Sequence, residues 1–255
     1  MLQKTLILVL LLFFKLSFGQ QVYNDLFFEG LKGKVKTITT TLEYADTSDF
    51  HMDNHKRVVS YYKENGNRSY EEEYLDTSIV QKRIFIYMDF KGFDKRIKTI
   101  TTYSVTPLNK RISNYYHDNS GFDTLIAVCD EDSSYYQLYR YQKNQFGLRS
   151  KGVEFNGKNG NLNGSFEIHY LNENIIDSIN YINRFDKIVY TEFYIYSSTG
   201  DVTQIYYSDG GCHLYESTKI DEIGNWLERK SFYVNKESVP KLVSTQRRYI
   251  EYYLK

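Results

Sequence analysis

A glycine, or an asparagine standing in for one, recurs at a nearly constant interval through this chain. The positions are Gly66, Gly92, Gly121, Gly147, Asn174, Gly200 and Gly224, with steps of 26, 29, 26, 27, 26 and 24 residues. Each closes a short polar turn, as in Tyr62-Lys-Glu-Asn-Gly66, Tyr116-His-Asp-Asn-Ser-Gly121 and Asp221-Glu-Ile-Gly224. Asn174 keeps the phase because Asn, after Gly, best tolerates the left-handed backbone conformation that such turns need. A fixed period of this length means a repeated supersecondary unit.

The residues between the turns read as strands. Segments such as Lys34–Tyr44, Arg83–Tyr87, Ile97–Tyr103, Tyr135–Tyr141, Ile188–Tyr196 and Arg248–Tyr253 are dominated by β-branched and aromatic residues. None carries a sustained 3.6-residue apolar stripe. Secondary turns, among them Asp76-Thr-Ser78, Asn156-Gly157, Asn183-Arg-Phe-Asp186 and Asp209-Gly210, fall midway between the periodic ones. One period of about 26 residues is therefore a hairpin of two strands and two turns. The pattern predicts an all-β fold, an antiparallel up-and-down meander of about sixteen strands, with the periodic turns along one edge. Open sheets of that size curl or split into layers, so a curled or layered open sheet is the expected form.

The amino terminus has the pattern of an export signal. Lys4 precedes the apolar run Thr5 to Phe14, and Ser17-Phe18-Gly19 places small residues at the −3 and −1 positions before Gln20. The run falls well short of the roughly 20 apolar residues that span a bilayer as a helix. Residues 1–19 are thus expected to be a signal peptide and 20–255 a single β-repeat domain, exported to the periplasm, the outer surface or the medium. Residues Gln20 to Leu31 show no strand pattern and are read as an arm or short cap.

Lys plus Arg and Asp plus Glu balance at 32 each, so no net charge favours nucleic acid or an anionic membrane. Cys129 and Cys212 are either a disulfide, which an oxidising compartment permits, or two separate buried thiols. Spacing alone does not choose between them. Zinc-protease, nucleophile-elbow, phosphate-loop and dinucleotide motifs are all missing from the sequence, and no cofactor is implied. His51-Met-Asp53-Asn-His55 would suit a metal on a helix but sits between strands, where a solvated polar turn is the simpler reading. Cys212-His213 would make a nucleophile and base only if both faced the same way, and neighbours on a strand do not. The acidic clusters Glu71-Glu-Glu73 and Asp130-Glu-Asp132 lack the glycine-punctuated spacing of a calcium loop and read as surface charge.

Tyrosine, at 26 residues, is the feature with the most functional content. On a sheet it supplies contact area with hydroxyl tips, able to stack on sugar rings or anchor a protein. Tyr139, Tyr141, Tyr194, Tyr196 and Trp226 are the binding candidates, although cross-strand packing accounts for aromatic residues equally well. Trp226, beside the best-formed turn, is expected to pack on the last strands near Tyr249 and Tyr252 as a structural cap.

Lys219-Ile-Asp221-Glu-Ile-Gly224-Asn225-Trp226-Leu-Glu-Arg229, followed by Arg247-Arg-Tyr-Ile-Glu-Tyr252, resembles the carboxy-terminal signature of exported bacterial proteins of the YD, or Rhs, repeat group. Tyr194-Ile-Tyr196 ahead of Gly200 is similar to that repeat, and Leu31-Lys-Gly-Lys-Val-Lys36 to the opening of such proteins. Most other turns lack the family's Asp after the aromatic residue. The segment Asn156 to Asn174 resembles a MORN-type hairpin repeat. Large Rhs proteins wrap their sheet around a toxin, and this chain is too short to enclose one. What the resemblance implies about function is limited, and the reading drawn from the Tyr-rich repeat sheet is a non-catalytic exported binding or scaffold protein, presenting that surface to an envelope glycan or protein. The alternative is an exported hydrolase with paired carboxylates in a groove.

Overall fold

The computed structural model describes residues 31–45, 55–90, 93–104, 109–131, 135–172, 175–198, 200–235 and 239–254, with only the backbone of 55, 90, 93, 135 and 136. The expected signal peptide, the arm up to Gly30, Gly92, Asn174, Asp132 and most of the 51–55 segment lie outside them. Sixteen strands follow in order: β1 (Val35–Tyr44), β2 (His55–Tyr62), β3 (Arg68–Leu75), β4 (Ser78–Phe90), β5 (Phe93–Tyr103), β6 (Asn109–His117), β7 (Asp123–Cys129) and β8 (Tyr135–Lys143). The second half continues with β9 (Arg149–Asn156), β10 (Leu162–Asn172), β11 (Ile175–Asn183), β12 (Ile188–Tyr196), β13 (Val202–Tyr207), β14 (Cys212–Ile220), β15 (Trp226–Val234) and β16 (Lys241–Tyr252). Each pairs antiparallel with its sequence neighbour. The described residues contain no helix.

The periodic turns share one construction. In the turns at Gly66, Gly121, Gly147, Gly200 and Gly224 the glycine has φ between 79° and 93°. Its N–H donates to the carbonyl three residues back, as from Gly224 to Asp221 at 3.1 Å, and that first residue donates across to the residue after the glycine, as from Asp221 to Asn225 at 2.9 Å. Where the first residue is Asp or Asn, its side chain also accepts from the backbone; Asp221 Oδ1 takes the N–H groups of Ile223 and Asn225 at 3.0 and 2.8 Å. A side chain at that φ would be strained, which is why the sequence returns to glycine there. All five turns lie on one rim, which is also where β1 begins and β16 ends. The secondary turns form the opposite rim; at Asp186 a non-glycine residue takes φ 60°.

The expected open sheet is corrected to a closed barrel. β1 pairs antiparallel with β16 from Val35↔Tyr252 to Tyr44↔Ser244, so the last strand returns to the first. An open meander would leave two long edges of unpaired N–H and C=O groups, and an even strand number lets the edges meet antiparallel. Pairing order was visible locally, but the curvature that joins strands more than 200 residues apart was not.

The seam is fastened at the glycine rim. Asn225 Oδ1 accepts from the Lys32 N–H at 2.7 Å, and its Nδ2 donates to the Lys32 carbonyl at 2.9 Å and to the Tyr252 hydroxyl at 2.7 Å. Tyr252 in turn donates to Asp221, and burial together with that bond pushes its pKa up to about 12. Leu31, Val35, Ile38 and Tyr62 pack with Ile250 and Tyr252 into the hydrophobic cluster of the seam. On the outside, Arg247 bridges Glu43 of β1 at 2.6 Å and Glu228 of β15 at 2.9 Å.

Replacing Asn225 by Ala should leave the Lys32 backbone groups unsatisfied and lower stability by roughly 2–4 kcal/mol, read by urea unfolding. A second outcome concerns pH. The Thr218 hydroxyl and then Arg247 hold Glu228 down at about 2. Its contribution is therefore present above its ordinary value near 4.5 and is lost as pH falls toward 2. Glu228→Gln should be less stable than wild type at neutral pH, and the gap should close across that window in denaturation curves.

Candidate binding site: the inner wall of the barrel

Cross-strand register sorts the side chains onto two walls. One runs from Ser60 to Glu71 to Arg83 to Thr101, and on through Tyr139 and Glu154, Tyr141 and Gly152, Phe166, Tyr181, Tyr190, and Tyr215 with Ser231. This set includes Ser60, Glu71, Ser231 and Ser244, all buried, and half-buried Tyr141, Tyr194, Tyr215 and Arg229. The other set carries Ile84, Phe193 and Tyr249, which are 47%, 45% and 66% exposed. The first therefore faces the lumen and the second the outside. Most large lumen residues are only half-buried, and among the described residues no packed second layer fills the interior. Sixteen strands about 4.8 Å apart, tilted by about 40°, give a circular barrel roughly 32 Å across at the backbone.

Tyrosines recur on both faces of the sheet, and the four tyrosines named as binding candidates all fall on the inner wall. Tyr139 and Tyr141 lie with ring centroids 6.5 Å apart and nearly parallel at 12°. Tyr141 meets Phe166 at 6.3 Å across Gly152, whose lack of a side chain makes the room: a Cβ there would lie 2.3 Å from the Phe166 ring. Arg149 sits 4.2 Å over Tyr141. Further round, Tyr181 and Tyr190 stack at 4.4 Å and 17°. Glu192 accepts from the Tyr181 and Tyr194 hydroxyls at 3.2 and 2.6 Å. Burial first and Glu192 second push both phenols well above their usual range, so they remain donors at neutral pH. Tyr207, pushed up to about 12 chiefly by burial, continues the surface toward His213.

Trp226 is buried as expected, but its neighbours differ from those expected. Register shifts at Lys219 and Ile220 let it join the inner set, with Arg248 stacked 3.5 Å from its ring centroid. Tyr249, expected beside it, points outward; the link to Tyr252 runs through Asn225 instead.

Other sequence candidates separate. Cys129 and Cys212 are free thiols, buried on the outer register of β7 and β14. Seven strand spacings part them, on the order of 30 Å, whereas a disulfide needs Cα atoms within about 7 Å. His213 points inward among Tyr207, Tyr215 and Tyr233, away from the Cys212 side chain. Burial lowers the His213 pKa and raises that of Cys212, which favours the neutral form of each. The three glutamates at 71–73 divide between walls: Glu71 binds Arg68 and Arg83 inside, Glu72 pairs with Lys82 at 3.3 Å outside, and Glu73 with Lys56 at 2.8 Å inside. Two shallow clefts at the opposite rim, of about 290 and 180 Å³, gather Thr41, Lys56, Arg57 and Asp76 in one and Arg111, Asp130 and Lys158 in the other. Neither holds the aromatic residues.

The outer wall is strongly polar. Besides Lys82–Glu72, it bears Lys151–Glu167 at 2.8 Å and the Arg247 bridges. Ile84, Met88, Phe193 and Ile195 are exposed among these charges, and no continuous apolar band encircles the described residues. Lysine or arginine at the middle of a lipid-facing strand costs about 2–4 kcal/mol each. Among the described residues no helix is long and apolar enough to cross a membrane.

No protein-family model and no curated protein matches this sequence. The fold is similar to that of a porin-like protein from Bacteroides uniformis, with a TM-score of 0.53 and 13% identity over 85% of this chain and 96% of that one. A TcdB2–TccC3–Cdc42 complex matches with a TM-score of 0.34 at 9% identity, over 80% of this chain and 11% of that one. The Photorhabdus luminescens Tc holotoxin pore gives 0.30 at 11%, over 77% and 14%. The last two likenesses are too remote to carry an argument. The likeness to the porin-like protein is one of β-rich fold and does not bear on a YD repeat specifically.

The inner arginines and Phe166, Tyr181 and Tyr215 were not singled out from the sequence. Period-two spacing, as in Tyr190-Thr-Glu192-Phe-Tyr194-Ile-Tyr196 of β12, groups side chains strand by strand but does not say which group faces inward. Gly152→Ala should keep the fold, push the Phe166 ring off Tyr141 and cost about 1–3 kcal/mol, read as a lowered Tm and an altered near-ultraviolet circular dichroism spectrum.

Proposed function

We propose that this chain is a non-catalytic exported protein of the cell envelope that binds a glycan against the aromatic inner wall of its barrel. The observation that carries the reading is the concentration of ordered rings on one wall of an unfilled bore, above all the Tyr181–Tyr190 stack and the Tyr139, Tyr141 and Phe166 group. Aromatic faces with hydroxyl tips suit the apolar faces and hydroxyls of sugar rings. The leader pattern of residues 1–19 supports export. Inner carboxylates are already engaged: Glu71 by two arginines, Asp123 by His117 and Arg149, and Glu154 by Gln137 and Asn163. That arrangement gives the hydrolase alternative no support.

A second reading, an outer-membrane pore, is favoured by the likeness to a porin-like protein. The charged outer wall weighs against it. A glycan array followed by titration of the strongest hit tests the proposal. Tyr181→Ala and Tyr141→Ala are each expected to weaken binding by about 1–3 kcal/mol through lost stacking. Channel conductance in planar bilayers, with unchanged glycan behaviour of both variants, would favour the pore.

A further inference from the structure

The inner wall is uneven in charge. Between β3 and β9 it carries cation–carboxylate pairs such as Arg68–Glu71–Arg83 and Arg149–Asp123, alongside Arg96, which lies over Phe85, Tyr87 and Tyr115. From β13 through β16 and on to β1, the described inward register positions hold the cations Arg229, Arg248 and, beside the opposite rim, Lys241, and no carboxylate. The acids of these strands, Glu216, Glu228, Glu251 and Glu43, all fall on the outer register.

Both guanidinium groups gather on one indole, Arg248 at 3.5 Å and Arg229 at 5.7 Å from the Trp226 ring centroid. Arg229 also lies 4.3 Å over Tyr215. One of its terminal nitrogens donates to the Val202 carbonyl, while its Nε is buried with no acceptor. Burial pulls its pKa below the usual guanidinium value, with Tyr215 and the rim residue Asp201 acting in the opposite direction. Neutral donors complete the surroundings: Gln246 stands directly opposite Arg229 on β16, and Ser217 opposite it on β14. Stacking on an aromatic face fixes a guanidinium plane in advance, so less ordering remains when an anion arrives.

We propose that this sector of the lumen is an oxyanion site, and that the glycan bound there is an acidic one held through its carboxylate by Arg229 and Arg248 over Trp226. The inference rests on the glycan reading above, which supplies the ring that lies along Tyr215. The shared chemistry is an oxyanion meeting two preset planar forks; a uronic-acid carboxylate and a free phosphate both have it, and they are separated experimentally.

Trp226 is the chain's only tryptophan, so its fluorescence reports on the site directly. Wild type, Arg229→Gln, Arg248→Gln and the charge-preserving Arg229→Lys are titrated with a galacturonate tetramer, a neutral galactose tetramer and inorganic phosphate, at low and physiological salt. Far-ultraviolet circular dichroism identifies the folded variants, and the Lys variant stands in if a Gln variant fails to fold. Wild type should bind the acidic sugar about ten-fold more tightly than the neutral one, with a preference that shrinks in salt. Each Gln variant should lose most of that preference, its affinity for the acidic sugar falling toward that for the neutral one, and the Lys variant should be intermediate. Equal affinity for the two sugars in wild type, or a preference that survives in every folded variant, overturns the inference and leaves the glycan reading standing. Phosphate binding that the Gln variants lose, with no response to either sugar, keeps the oxyanion site and removes the glycan reading. Silence toward all three probes overturns both.

Discussion

The antiparallel ladder between β1 and β16 is the contact on which the rest of the structure depends. Without it the sheet has two free edges, no inside and no lumen wall. The molecule has little packed core to fall back on, for Val35 is the only side chain among the described residues with essentially no exposure. Stability is thus spread along hydrogen-bonded ladders, each bond contributing about 0.5–1.5 kcal/mol net. The seam gains a local concentration of support from Asn225, Tyr252, Asp221 and the small cluster around Val35 and Ile38.

What could be read in the sequence was what is local in space. The glycine period marks turns whose donors and acceptors lie within five residues of one another, so strand number, pairing order and the shared rim follow directly. Closure could not be read, because it depends on small increments of twist and bend summed over sixteen strands. The assignment of faces was hidden for a different reason. Both walls alternate aromatic, β-branched and charged residues, and a wet lumen does not demand the purely apolar inner face that would have betrayed it. Glu71, Glu72 and Glu73 look alike in sequence, yet the pleat sends the middle one outward and the others in.

The same two-sided polarity gives the candidate site its character. A barrel of this size with a charged exterior places its aromatic stacks where a partner must enter to reach them, so access through a rim selects for extended, threadable ligands over bulky folded ones. The wall they meet is stiffened by its own contacts. Gly152 fixes Phe166 against Tyr141, Glu192 ties two tyrosine hydroxyls together, and Trp226 lies beneath Arg248. Rings held this way surrender little freedom on binding.

Joining the first strand to the last also dictates a timetable. A ribosome delivers β16 only after fifteen other strands have emerged, and throughout that interval the edge of β1 has no native partner. Local hairpins can form as they appear, because each periodic turn contains its own instructions. The ring itself is a single late event, of high contact order and correspondingly slow. Until then the growing sheet exposes an edge able to pair with another chain, so a cell making this protein must keep nascent copies apart or escorted until β16 arrives.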